Sequence, residues 1–454
     1  MRWIFYNFFF SLAYLFMAPR FLLRMRKRGG YREKFGQRFG RYSPEDRKEL
    51  DALHAEGVAP VWIHAVSVGE VFVAGQMMRA MRAKDPSVRF VLSTTSSTGW
   101  KQAEEQITGR DARIYCPLDL PGAVRSALDA VRPRAFLLTE SELWPNLIRA
   151  AAKRGVPLFL VNARVSDRSA PGYRRLRIWF GPALRAFRLI QAQSGLDRDR
   201  LLAAGARPDT VEVAGSFKFD VANRAPAKEA AAAAILSRLG LAGEGLTLLL
   251  GGSTWPGEEE ILLAIYRKLS PAHPGLRLAL VPRHFERGAE VEAAIHDAGF
   301  ACVRKSRLDA GDDPEATGPE AVLLVDTTGE MMGFYGNAHI VFVGKSLMEH
   351  GAQNMIEPCL CGAATIVGPN TENFRPVMAD LLAAKAILQV PDSDALRQTV
   401  ETLLARPGER KALGERARAA VLSRKGVVDR CAAQILDILR DDAGRKDAPC
   451  HASP

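Results

Sequence analysis

The residue types suited to proton transfer and to holding a phosphate recur at the ends of short apolar runs. Residues 61–70 read VWIHAVSVGE: a run that suits a buried strand, a Ser/Gly turn, and one carboxylate, Glu70, after which apolar residues recur at helical spacing through residue 81. A carboxylate in the first turn of a helix is favoured in its ionised form by the helix dipole, and an ionised carboxylate beside a hydroxyl serves as a general base. The position suits a simple helix-start cap equally well. Further on, TESELWPN (139–146) places Glu140 and Glu142 after another apolar run, NARVSDRS (162–169) adds Arg164 and Arg168, and GSFKFD (215–220) adds Lys218. Any one of these suits a cap or a solvated loop. In a parallel sheet, however, all of them converge on one edge.

The second half of the chain carries groups suited to an anion. Gly251-Gly252-Ser253-Thr254 ends a run with small residues whose amides allow close approach. VPRH (281–284) places the always-charged Arg283 after Pro282. DTTGEM (326–331) runs through Gly329, Glu330 and Met331 toward a helix start. The densest stretch, 343–358, passes through a glycine-rich loop into HGAQNMIEP. Its Asn354 and Glu357 lie one helical turn apart, and Met355 and Ile356 lie between them. A capping asparagine with a capping-box glutamate is the competing reading. Neither half has a GxGxxG fingerprint or a GxxxxGK[ST] loop, which argues against nicotinamide enzymes and P-loop NTPases.

The elements that must position these groups follow a βαβ rhythm. Apolar runs at 61–66, 88–94, 113–116, 135–139, 158–162, 189–193 and 211–214 alternate with helical stretches. The rhythm restarts at 246–251, 277–281, 321–326, 339–343, 364–367 and 386–389. Two doubly wound domains are the expected architecture, with the polar then alanine-rich residues 223–234 as connector. The expected organisation is 1–42 membrane anchor and basic juxtamembrane segment, 43–222 first domain, 223–440 second domain, and 441–454 disordered tail. Residues 3–19 are uncharged and rich in aromatics, and Arg20, Arg24, Arg26, Lys27, Arg28, Arg32, Lys34, Arg38 and Arg41 follow against only Glu33. That order predicts an anchor, spanning or interfacial, with the rest of the chain on the cytoplasmic side of the membrane and the basic block on anionic lipid. The formal charge of +11 also points to an anionic partner. The six cysteines have neither CxxC spacing nor a disulfide framework and read as reduced thiols, and no His, Cys or carboxylate cluster has metal-site spacing.

Taken together, HAVSVGE ending at Glu70, TESELWPN, NARVSDRS, GSFKFD, VPRH and HGAQNMIEP resemble, in order, the motifs of the 3-deoxy-D-manno-octulosonic acid (Kdo) transferase family of lipopolysaccharide assembly, and the resemblance covers nearly the whole chain. It implies the α/β GT-B fold, with two Rossmann-like domains facing across a cleft and an N-terminal membrane anchor at the inner membrane. It implies an inverting glycosyltransferase that uses CMP-Kdo and a lipid A precursor, with no cofactor and no nucleic-acid partner. It also implies Glu70 as catalytic base, with Glu142 and Lys218 assisting. Pro282, Arg283, Gly329, Glu330, Met331, Asn354, Met355, Ile356 and Glu357 would bind CMP. The competing functions are a UDP-sugar transferase or epimerase of the same fold, and a non-catalytic membrane-associated lipid- or nucleotide-binding protein.

Overall fold

The computed structural model describes residues 2–28, 33–54, 57–312 and 320–447. They form two compact units, Met1–Phe217 with Gly426–Pro454, and Lys218–Lys425. The first unit is built on β1 (Val61–His64), β2 (Phe90–Thr94), β3 (Ala112–Tyr115), β4 (Ala135–Thr139), β5 (Leu158–Ala163), β6 (Leu189–Ala192) and β7 (Val211–Val213). The second is built on β8 (Thr247–Thr254), β9 (Leu276–Pro282), β10 (Ala301–Arg304), β11 (Ala321–Leu324), β12 (Ile340–Val343), β13 (Ala364–Val367) and β14 (Leu388–Gln389). Every pairing is parallel.

Strand order is β3-β2-β1-β4-β5-β6-β7 in one sheet and β10-β11-β9-β8-β12-β13-β14 in the other. The direction of winding reverses between β1 and β4, and again between β8 and β12. At such switch points the loops leaving the carboxyl ends diverge and open a crevice. Glu70 follows β1 and Glu142 follows β4, while Ser253 ends β8 and Asn354 follows β12. The polar motifs therefore fall where a parallel sheet makes room for a ligand.

Because successive strand residues face opposite sides, each sheet feeds two cores. Trp62, Phe136 and Leu138 pack on one side of the first sheet, and Val61, Ile63 and Leu137 on the other. Leu248 and Leu250 face one core of the second unit and Leu249 the other. Such side chains are fully buried, each worth about 1.5–3 kcal/mol, which explains why these runs read as continuous apolar stretches.

Three expectations are corrected. Residues 223–234 are no bare connector: the helix Pro226–Arg238 buries Ala232 and Leu236 in the second unit's core. The division falls at Phe217/Lys218, and the helix Val427–Asp447 belongs to the first unit, where Val428, Cys431, Ile435 and Leu436 share a core with Val71, Met77 and Phe217. Hydrophobic periodicity reveals that a helix has an apolar face but not which sheet covers it. That helix also continues past residue 441; the expected tail from 448 onward lies outside the described residues. β10 was missed because it is a four-residue edge strand whose side chains are mostly half-buried.

The helix Arg2–Arg28 docks on the first unit through polar contacts. Tyr6 Oη donates to Asp119 Oδ2 at 2.8 Å, and Asn146 Nδ2 donates to Asn7 Oδ1 at 2.6 Å. Burial raises the Asp119 carboxyl to about 6, against the pull of the N–H groups of Asn146 and Leu147 and the Tyr6 hydroxyl. The helix leaves Phe5, Phe8, Phe9, Leu15 and Phe16 exposed. Among the described residues, no helix is long and apolar enough to cross a membrane. The side chains of Arg20, Arg24, Arg26, Lys27, Arg28 and Arg32 lie outside the described part of the chain. Of the rest of the expected lipid-facing block, Lys34 pairs with Asp46 at 3.1 Å and Arg38 is buried over the Tyr115 ring, donating to Thr95 O at 2.6 Å, so Arg38 is a packing residue.

Candidate active site

Ser67 caps the helix Val68–Lys84: its Oγ accepts from Glu70 N at 3.3 Å and donates to Glu70 Oε1 at 2.9 Å. Glu70 Oε2 accepts from Val66 N at 3.1 Å and from Thr139 Oγ1, at the end of β4, at 2.9 Å. Thr139 also reaches His64 O at 2.9 Å, so one hydroxyl proton serves two oxygens. Glu70 is thus a capping residue and also a buried carboxylate that ties β1 to β4. A carboxylate offers about four lone-pair positions. Three are occupied here, and one remains for a further donor such as a substrate hydroxyl.

Glu142 lies in the loop between β4 and the helix Pro145–Lys153. Burial, then the charges of Glu70 and Glu140, push its carboxyl up to about 7, with the Trp144 indole pulling the other way. Three glutamates therefore share one end of this sheet, and the middle of the pH range finds Glu142 half protonated. The backbone there is strained: Glu140 and Asn162 have φ of 53° and 52°, a left-handed conformation that costs about 1–3 kcal/mol at non-glycine residues. Asn162 locks the arrangement. Its Nδ2 reaches Glu140 Oε1 at 3.4 Å, its Oδ1 accepts from Phe217 N at 3.1 Å, and its carbonyl accepts from Gln193 Nε2 at 2.9 Å. Asn162 opens the NARVSDRS motif, but its bracing role and that of Gln193 were not read from the sequence, since nothing local marks a strand-end amide as a brace. Arg164 is half-buried and Arg168 exposed at the same sheet end.

In the second unit, Pro282, Arg283, Gly329, Met331, Asn354 and Glu357 line one cavity of about 300 Å³, together with Ser253, Thr328, Tyr335 and Gln353. Four separate sequence motifs meet here. Burial raises the Glu357 carboxyl, opposed by Asn354. Asn354 precedes the helix Ile356–Cys361 instead of lying in its first turn, and its Oδ1 accepts from Ile356 N at 3.1 Å. Tyr335 is the main residue that sequence reading missed. A Cβ on Gly252 would stand 2.5 Å from its hydroxyl oxygen, so the glycine is what admits the ring.

Three of the expected binding residues are placed elsewhere. Met355 and Ile356 are fully buried in the core, because the short helix turns its apolar side inward and leaves only Asn354 and Glu357 on the cavity. Glu330 lines a neighbouring hollow of about 430 Å³ with Thr327 and Asp309. There it pairs with Lys305 at 3.1 Å. Lys218 opens the second unit. Its Nζ donates to Asn373 O at 2.7 Å and lies 4.2 Å from the Phe374 ring centroid. Glu70 and Glu142 belong to the first unit and Lys218 to the second.

The β12 loop is tightly packed. A Cβ on Gly344 would lie 2.3 Å from the Ser253 carbonyl oxygen, and backbone cannot yield as a flexible side chain does. Gly344→Ala is expected to cost about 2 kcal/mol, measured as a lower urea midpoint with unchanged slope. An unchanged midpoint would mean that the loop is free to move.

Comparison with known proteins gives a consistent result. The family profile described as 3-Deoxy-D-manno-octulosonic-acid transferase (kdotransferase) matches residues 33–221. A 3-deoxy-D-manno-octulosonic acid transferase of Bordetella pertussis is 36% identical over 455 residues, 96% of this chain and 99% of that protein. One from Haemophilus influenzae is 30% identical over 96% of this chain and 98% of its own length. Among solved structures, a glycosyltransferase from Rickettsia africae is 13% identical with a TM-score of 0.54, covering 85% of this chain and 98% of that one, a likeness of fold.

Proposed function

The chain belongs to the 3-deoxy-D-manno-octulosonic acid transferase family, and from that premise we propose that it transfers Kdo from CMP-Kdo to the lipid A precursor (lipid IVA) with inversion, in a GT-B arrangement. The observation that carries the reading is the Glu70 carboxylate, held by three donors with one lone-pair position left over. An acceptor hydroxyl in that position loses its proton to Glu70 as its oxygen attacks the anomeric carbon of Kdo. The bond from that carbon to the phosphate oxygen breaks, and CMP leaves with the electron pair. Inversion needs a single attack from the face opposite the leaving group, and one base suffices for it.

Arg283 and the amides around Ser253 and Gly329 meet the phosphate, while Asn354 and Glu357 address the ribose side of the nucleotide. Charge stabilisation of the leaving phosphate by a guanidinium and fixed amides is the main contribution asked of this unit. Glu142 and Lys218 assist, Glu142 through its charge coupling to Glu70. Exposed aromatics on the helix Arg2–Arg28 rest on the inner membrane and bring a lipid-borne acceptor to the first unit; the basic residues that follow attract anionic lipid on the cytoplasmic side.

The test is incubation of purified protein with CMP-Kdo and lipid IVA, with mass spectrometry of the product. Arg283→Ala is expected to raise the donor KM about tenfold or more, as loss of a charge-assisted contact does. A protein that turns over no Kdo donor, or that prefers UDP to CMP in a binding panel, sinks the reading.

A further inference from the structure

Two consecutive carboxylates, Glu258 and Glu259, open the helix Glu258–Leu269 directly after β8, and neither lines the cavity. Both are buried, at 0% and 1% exposure. Glu258 Oε2 accepts from Trp255 N at 2.9 Å and Lys345 N at 2.8 Å, and Oε1 accepts from Ser346 N and Leu347 N at 3.2 Å each. Four N–H groups fill the four positions that a carboxylate offers. An ordinary helix cap would satisfy its own helix. Here three of the four donors belong to the loop after β12, on the other side of the switch point.

That loop leads straight to the cavity. Lys345 has φ 57°, a conformation that a lysine keeps only when held. Ala352 N returns to Lys345 O at 2.8 Å and Gln353 N to Gly344 O at 3.0 Å. The segment gripped by Glu258 therefore sets where Gln353 and Asn354 stand. Glu259 grips a different wall. Its two oxygens accept from Arg287 Nη1 at 2.7 Å and Nη2 at 3.3 Å. Arg287 closes the short turn Phe285–Arg287 that follows Pro282 and Arg283.

We propose that Glu258 and Glu259 form a positioning pair that holds two walls of the nucleotide cavity in register and thereby sets donor affinity. The inference rests on the CMP reading of that cavity. Glutamine at position 258 cannot replace the carboxylate, because its NH2 would face N–H donors. Glutamine at position 259 removes one of the two oxygens on the Arg287 fork and the charge that tightens the pair, while Nη2 keeps its bond to Glu290 at 2.6 Å.

The test is calorimetric titration of the full-length protein with CMP, together with kinetics in both substrates. Glu258→Gln is expected to weaken CMP binding about ten- to hundredfold, the range seen when groups supporting a site are lost. The loss falls in donor KM, with acceptor KM unmoved. Glu259→Gln and Arg287→Met are each expected to weaken CMP several-fold and to be non-additive when combined, as partners in one contact are. A merely structural role would lower the folded fraction and leave the Kd of the folded protein unchanged, so a wild-type Kd in Glu258→Gln overturns the proposal. If that variant does not fold, additive or absent effects at Glu259 and Arg287 overturn it instead. Wild-type protein that binds no CMP overturns the nucleotide reading, and this inference with it.

Discussion

Glu70→Gln is expected to lower turnover about 10³-fold, within the range for loss of a general base, while folding and CMP affinity stay at wild-type levels. Glutamine is the informative substitution because it preserves the local hydrogen bonds. Its carbonyl oxygen, placed where Oε2 lies, still accepts from Val66 N and Thr139 Oγ1, and its NH2 donates to Ser67 Oγ, which has a free lone pair. Alanine would leave those buried donors without partners at about 1–3 kcal/mol each, so lost activity would be confounded with lost fold. Comparing kcat, CMP titration and thermal melts of Glu70→Gln separates the two. Turnover above about a tenth of wild type, a shortfall too small for a lost base, would remove Glu70 from the role of base and leave it a cap.

Glu142→Gln is expected to act in opposite directions on stability and activity. The folded carboxyl is raised from 4.5 to about 7, so the native state binds this proton more tightly than the unfolded chain does. The resulting stabilisation is fully present below pH 4.5 and is lost as pH rises through 7. At pH 8 the wild-type protein holds a half-buried carboxylate that the Glu70 charge opposes, at a cost of about 2–3 kcal/mol. Glutamine removes that cost, so the variant should melt higher than wild type at pH 8, with the gap closing at pH 4.5. Turnover should nevertheless fall, a trade expected where a site stores unfavourable charge. Equal melting temperatures at pH 8 would mean that the environment of Glu142 is more solvated than its burial indicates.

The fold was legible from the sequence because parallel strands covered on both faces must be continuous apolar runs, and the central strands β1, β2, β4, β5, β8, β9, β12 and β13 are largely of that kind, whereas the edge strands β3, β7, β10 and β14 are polar in part. The motifs were legible only in combination, since any one Glu, Arg or Asn suits a cap or a solvated loop, whereas in a parallel sheet all of them fall at one edge. Less legible was which half of a motif faces the ligand. In NMIE, Asn354 and Glu357 line the cavity while Met355 and Ile356 are core. In GEM, Gly329 and Met331 do so while Glu330 turns to Lys305. That choice depends on the exit angle of the chain from the strand, which no local pattern records.

The sequence by itself determined the class of architecture, the order of the strands along the chain and the candidate base. These follow from hydrophobic period and from residue chemistry, both of which are local. Only the tertiary structure decided that Glu70 is bonded to Thr139 across the switch point and that Glu142 carries a raised pKa. It also decided that the last helix returns to the first unit and that Glu258 binds a loop some ninety residues away. Each of these is a meeting of groups far apart in the chain, and burial and hydrogen-bond partnership exist only once the chain has closed around them.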